Sequence, residues 1–267
     1  MPTAPPAPGV VARLRAAGCV FAEEEAAMLV AEATGPAELE TLVARRVAGE
    51  PLEQVLGWAS FCGLRLAVEP GVFVPRRRTE FLAREAIARA WPGAVVLDLC
   101  CGSGALAAAV SAAVPGVEVH AADVEPAAVR CARRNLRGAR VHEGDLFEPL
   151  PPGLRGRVDV LVANVPYVPT GEVALMPPEA RDHEPRRALD GGGDGLDVLR
   201  RLAAGAGDWL APGGALLSEV SERQAPAAVA VLTAAGLEAH TAEDDDLGAV
   251  VVVGTRRRPS AQGPTVP

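Results

Sequence analysis

Apolar residues follow three different rhythms along the chain. From Val10 to Gly49 they recur at helical spacing: Val10, Val11 and Leu14, then Ala26, Ala27, Leu29 and Val30, then Leu39, Leu42, Val43 and Val47. Gly18 and Thr34-Gly35-Pro36 interrupt the rhythm, so two or three short helices are predicted. So small a set makes no robust core alone and is expected to pack against another unit. Between Glu50 and Pro75 the pattern shortens. Phe61, Leu64, Leu66, Val68, Val72, Phe73 and Val74 stand between Gly57, Gly63 and Pro70-Gly71, which reads as a β-hairpin. Thr79 is then the predicted N-cap of a helix over Phe81 to Ala90.

From Val95 onward, continuous apolar runs alternate with amphipathic stretches. Strands are predicted at Val95–Leu99, Val117–Ala122, Arg140–Glu143, Val158–Ala163, Ala215–Glu219, Glu238–Ala242 and Ala249–Thr255, with helices over 105–114, 126–137, 194–210 and 224–235. This alternation implies an α/β fold, a parallel sheet with helices on both faces. Glu243 to Gly248 is too short for a crossover, so the last two strands should pair antiparallel. The expected organisation is a disordered end over 1–9, a helical region over 10–50, a hairpin linker over 51–75, an α/β domain over 76–258 and a disordered tail over 259–267.

Composition narrows the picture. The 267 residues are 49% hydrophobic but only 3% aromatic, so the core must be built from Ala, Val and Leu. Every one of the 26 basic residues is Arg, and the net charge is −8. That balance argues against non-specific binding to nucleic acid, which needs a basic surface. Five Cys with no Cys-x-x-Cys and no zinc-spaced Cys/His cluster read as reduced thiols in the cytoplasm, with no metal site. The first nine residues lack the pattern of a secretory signal. No apolar run approaches the ~20 residues that cross a bilayer, so no membrane partner is expected.

Ligands of open α/β sheets bind beyond the carboxyl ends of the strands. Four such ends carry suggestive residues. Asp98-Leu99-Cys100-Cys101-Gly102-Ser103-Gly104 is a strand, a Gly-rich turn and a helix start, where backbone approaches a ligand closely. Asp123, about 20 residues on, is placed to accept two ribose hydroxyls. In Gly144-Asp145-Leu146-Phe147 an acid and an apolar side chain can hold an adenine edge and face. Asn164-Val165-Pro166-Tyr167 contains the only Tyr and one of two Asn. The Asn164 side-chain oxygen and the Val165 carbonyl, held extended before a proline, can take both hydrogens of a planar –NH₂, and Tyr167 offers a ring to stack on it. Arg76-Arg77-Arg78 reads either as a solvated helix entrance or as an anion site.

From about Glu50 to Arg257 the chain resembles the protein-(glutamine-N5) methyltransferases that modify bacterial release factors. Asn164-Val165-Pro166-Tyr167 is similar to that family's Asn-Pro-Pro-Tyr, and Asp98 to Gly104 to its Asp-Leu-Gly-Thr-Gly-Thr-Gly. Pro75-Arg76-Arg77-Arg78-Thr79-Glu80 is similar to its Pro-Arg-Pro-Glu-Thr-Glu, and the runs Glu184 to Gly192 and Asp194 to Asp197 resemble family segments too. Cys100 replaces a turn Gly, Val165 a Pro, and Arg77 and Arg78 replace Pro and Glu, while the helical region before Glu50 is shorter.

The resemblance implies a Rossmann-like, seven-stranded class I methyltransferase sheet and S-adenosylmethionine as methyl donor. It puts the methionine part on Asp98, Cys100, Cys101, Gly102, Ser103 and Gly104, and the ribose on Asp123 and Val124. The adenine falls between Asp145 and Leu146. Asn164 borders donor and substrate, with Val165, Pro166 and Tyr167 completing the catalytic set. The implied partner is a protein carrying a glutamine, such as a release factor, gripped by the helical region. Two other readings stay open: an adenine-N6 methyltransferase acting on nucleic acid, and an inactive cofactor-binding scaffold.

Overall fold

The computed structural model describes residues 8–258. The chain opens with α1 (Pro8–Ala16), α2 (Ala22–Glu32), α3 (Pro36–Val47) and the short α4 (Leu52–Leu56). Leu14, Ala22, Ala26, Leu29 and Val43 are buried completely among them, with Val55 and Leu56 of α4 alongside, so this region has a small core of its own. It also packs outward, as expected. Glu32 at the end of α2 accepts from Trp58 Nε1 at 3.0 Å and from Arg65 Nη2 at 2.8 Å. Pro8 and Gly9 belong to α1 and not to a disordered end, because proline's fixed φ suits a first turn where its missing N–H costs nothing. The expected disorder at 1–7 and 259–267 lies outside the described residues.

The hairpin is narrower than the predicted linker. It consists of β1 (Trp58–Phe61) and β2 (Leu64–Ala67), antiparallel around Cys62-Gly63, whose φ values of 48° and 74° suit a two-residue turn. The linker also contains α4, which short periodicity could not reveal; Gly57 in the left-handed region (φ 78°) ends it. Thr79 does not cap α5 (Glu80–Ile87). A 3₁₀ turn over Arg77–Thr79 precedes that helix, and the Thr79 hydroxyl is buried with no hydrogen-bond partner. Glu80 instead reaches back to accept the Cys62 N–H at 2.8 Å.

All seven predicted strands of the main sheet form: β3 (Val95–Leu99), β4 (Glu118–Asp123), β5 (Arg140–Glu143), β6 (Val158–Ala163), β7 (Leu210–Val220), β8 (Glu238–Asp244) and β9 (Ala249–Thr255). Their order is β5-β4-β3-β6-β7-β9-β8, parallel from β5 to β7, with β9 antiparallel to both of its neighbours. The helices around them are α6 (Ala105–Ala113), α7 (Pro126–Asn135), α8 (Pro178–His183), α9 (Arg186–Leu189), α10 (Asp197–Trp209) and α11 (Ala225–Ala234). Only α8 and α9 were not legible, because their stretch of Pro and charge has no apolar period.

Every residue of β3 is buried, as a strand covered on both faces must be. Val95, Leu97 and Leu99 pack with α10 and α11, while Val96 faces the α5 and α6 side. Asp98 lies on that second side. Its Oδ2 accepts the Ala107 N–H at 3.1 Å and its Oδ1 has no partner, so burial pushes the carboxyl up to about 8. Gly104 (φ 78°) lets α6 enter close to α7: a Cβ there would lie 2.8 Å from Leu136 Cδ1.

Gly104→Ala therefore combines overpacking with a left-handed backbone and should cost about 2 kcal/mol in urea unfolding. Gly102→Ala, with open space at its Cβ position, should lose only the smaller backbone share. A second expectation concerns pH. A carboxyl whose folded pKa is raised contributes stability below its unfolded pKa and loses it as pH rises through about 8. Between pH 5 and pH 8, Asp98→Asn should gain on the wild type by at least about 1 kcal/mol. Parallel curves for the two proteins would contradict this.

Candidate active site

A cavity of about 360 Å³ opens at the carboxyl ends of β3, β4, β5 and β6, where the chain order reverses from one side of the sheet to the other. Its walls include Cys100, Cys101, Gly102, Ser103, Asp123, Val124, Asp145, Leu146 and the tetrad Asn164 to Tyr167. Asp98 and Gly104 stand behind this wall: they shape the turn and do not line the cavity.

The turn after β3 is drawn onto β4. Cys101 N–H donates to the Ala122 carbonyl at 3.1 Å, and Gly102 N–H to Asp123 Oδ2 at 2.8 Å. The other Asp123 oxygen accepts the Glu125 N–H at 2.9 Å, and burial raises this carboxyl's pKa. Cys100 holds a left-handed φ of 56°, a position that suits Gly. Burial, with Asp123 and Asp98 nearby, pushes its thiol far up, which disfavours the thiolate. A residue that sequence reasoning gave no role, Asn135 at the end of α7, ties the turn to the hairpin. It accepts the Ala67 N–H at 2.8 Å and donates to the Ala67 and Ser103 carbonyls at 2.9 and 2.8 Å.

At the end of β5, Asp145 pairs with Arg201 of α10 at 2.7 Å, a cavity-lining partner with no sequence signal. Leu146, also left-handed (φ 47°), supplies the apolar wall. Phe147 turns away, stacking on Trp209 at 5.6 Å between ring centres.

The tetrad leaves β6 directly. The Asn164 side-chain oxygen is buried and has no partner, and no described residue donates to the Val165 carbonyl. The Tyr167 hydroxyl donates to Glu219 Oε1 at 2.8 Å and accepts from Arg78. Burial and the Glu219 charge raise its phenol strongly, so it remains neutral.

The run from Glu184 to Asp197 splints this loop. Val168 N–H donates to the Leu189 carbonyl at 3.0 Å and Gly191 N–H to the Val168 carbonyl at 2.8 Å. A Cβ on Gly195 would lie 2.2 Å from the Tyr167 carbonyl oxygen, and one on Gly191 would lie 2.6 Å from that of Pro166. Gln224 bridges the Tyr167 and Asp194 carbonyls at 2.8 and 2.9 Å. The cluster of Gly between 191 and 195 was the available signal for so close an approach.

The Arg run divides: Arg76 and Arg78 are held in ion pairs, while Arg77 is exposed, as the solvated reading expects. Arg76 pairs with buried Glu184 at 2.5 Å, and Arg78 Nε with buried Glu219 at 2.9 Å. Of the three, only Arg77 has no ion pair among the described residues.

A family model described as the methyltransferase small domain matches residues 63–194. The release factor glutamine methyltransferase of Geobacter sulfurreducens is 43% identical over 220 residues, covering 80% of this chain and 76% of its own. The 4-amino-L-phenylalanine/4-methylamino-L-phenylalanine methyltransferase of Streptomyces pristinaespiralis is 40% identical over 207 residues, covering 74% of this chain and 70% of its own. A methyltransferase structure from Pyrococcus furiosus shares the fold, with a TM-score of 0.56 at 18% identity over 80% of this chain and 97% of that one. The sheet order, the cavity at its reversal and the identity over most of both chains lead to one conclusion: this chain belongs to the release factor glutamine methyltransferase family, and it is a class I enzyme that takes its methyl group from S-adenosylmethionine.

Proposed function

We propose that this enzyme methylates the side-chain amide nitrogen of a glutamine in a protein, with a peptide chain release factor as substrate. The observation that carries the reading is the buried, unpartnered side-chain oxygen of Asn164 at the end of β6, in a cavity that Tyr167 also lines. A buried acceptor left without a donor costs about 1–3 kcal/mol, which an incoming N–H group relieves.

The cavity suits the methyl donor. Its size lies within the ordinary range for small-molecule sites. Gly102 leaves open space where a Cβ would stand, so a ligand can lie against the backbone there. Cys100, Cys101, Gly102 and Ser103 would hold the methionine part, with Asp98 and Gly104 fixing the turn from behind. Asp123 and Val124 would hold the ribose, and Asp145 and Leu146 the adenine, with Asn164 at the border between donor and substrate. When bound, S-adenosylmethionine supplies an electrophilic methyl group on a sulfonium.

The protein's own residues do the rest by position and polarity. An amide nitrogen is a poor nucleophile because its lone pair is shared with the carbonyl. The Asn164 oxygen and the Val165 carbonyl receive its two hydrogens, aim the nitrogen and stabilise positive charge growing on it. The Tyr167 ring stacks on the flat amide, and Pro166 keeps the residue before it extended. A second reading is an amine on a free small molecule. The Streptomyces pristinaespiralis relative, named for 4-amino-L-phenylalanine, supports it, because two acceptors and a ring would orient an aryl –NH₂ as well.

Mass spectrometry of release factor incubated with the enzyme and S-adenosylmethionine separates these readings. The expected result is one added methyl on the glutamine of its Gly-Gly-Gln motif. Methylation of 4-amino-L-phenylalanine with none on release factor would favour the second reading.

Two variants test the division of labour. Asp123→Ala should weaken S-adenosylmethionine binding at least about tenfold by calorimetry, since it removes charge-assisted hydrogen bonds. Asn164→Ala should abolish turnover while cofactor affinity stays within a few fold. Val165→Pro should be mild, because the carbonyl is kept and the backbone is already extended; equal damage from both tetrad variants would refute the role given to that carbonyl.

A further inference from the structure

We infer that Arg78 and Glu219 act as a positioning pair that fixes where the Tyr167 ring stands. The inference rests on the reading of Tyr167 as the surface on which the substrate amide stacks.

Glu219 lies near the end of β7, one residue beyond Ser218, which pairs with Ala163 of β6. Glu219 and Asn164 therefore sit side by side at neighbouring strand ends. Glu219 is only 2% exposed. A carboxylate so deeply buried needs a counter-charge and donors. One oxygen, Oε1, receives both: the Tyr167 hydroxyl at 2.8 Å and Arg78 Nε at 2.9 Å.

Arg78 contributes twice more. Its Nη2 donates to the same Tyr167 hydroxyl, and its guanidinium carbon lies 5.6 Å from the ring centre. The phenol oxygen is thus used as donor and as acceptor at once. The opposite end of the residue is fixed as well, since the Tyr167 carbonyl accepts from Gln224 and abuts Gly195. A ring pinned at its backbone and at its hydroxyl keeps little freedom about χ1; the phenol oxygen lies on the χ2 axis, so rotation of the ring plane is opposed by the guanidinium against its face and not by the two hydrogen bonds. Lys could supply the charge at position 78, but it could not supply the two-nitrogen fork.

Tyr167 is the only tyrosine of the chain, so protein labelled with ¹³C-tyrosine gives one ring environment to observe by NMR. The proposal expects Arg78→Met and Glu219→Gln each to shift or broaden that signal in a protein that remains folded by circular dichroism. It expects kcat toward a glutamine-containing release factor to fall about tenfold or more, with the affinity for S-adenosylmethionine held within about twofold. Arg78→Lys should fall between the wild type and Arg78→Met.

A ring signal identical to wild type in both variants overturns the proposal. So does a loss of kcat that merely follows the unfolded fraction. Wild-type enzyme that leaves release factor unmethylated would instead count against the substrate reading, and the ring signal would still decide whether the pair sets Tyr167.

Discussion

The structure depends on the reversal of strand order at β3. From that strand the chain runs to β4 and β5 on one side, then returns to β6 and β7 on the other. The connections at the carboxyl ends must diverge there, and the gap between them is the cavity. Most polar groups of the proposed chemistry sit at such an end: the turn after β3, Asp123 closing β4, Asp145 after β5, Asn164 after β6 and Glu219 on β7. The sheet's interior is mostly apolar, with Asp98, His120 and Ser218 as buried polar exceptions, so these ends are where it gathers charge and hydrogen-bonding groups around the cavity.

Legibility in the sequence followed the range of the interactions. β3 and β6 were readable because strands buried on both faces are continuous apolar runs, and the tetrad because Asn and Tyr are rare in this chain. The long-range ion pairs and hydrogen bonds were not. Arg76 meets Glu184 across 108 positions, and Asn135 meets Ala67 across 68, and no local pattern encodes such partners. Thr79 shows the opposite failure. Its residue type suited a cap, but the 3₁₀ turn before α5 buried the hydroxyl instead. Cys100 and Leu146 are a third kind: both occupy left-handed backbone that a sequence rule would reserve for Gly.

Charge at the cavity mouth is arranged in neutralised pairs. Arg76 with Glu184, Arg78 with Glu219 and Arg201 with Asp145 each leave little net field. A basic surface expected from three consecutive Arg is therefore mostly cancelled by carboxylates brought from elsewhere in the chain. Long-range attraction of an acidic partner is a weak basis for selection here.

The helical region connects to those acceptors through a traceable path. Arg46 of α3 pairs with buried Glu25 at 2.7 Å and also reaches Glu179 of α8 at 3.3 Å. α8 leads into Glu184, which accepts the Val74 N–H at 3.1 Å and pairs with Arg76. The same run continues through α9 to Gly191 and Gly195, which press against the Pro166 and Tyr167 carbonyls. One segment thus receives a buried cation from the helical region at its start and splints the tetrad at its end. A substrate protein docked on the helices would bear on a segment already in contact with the groups proposed to receive its glutamine.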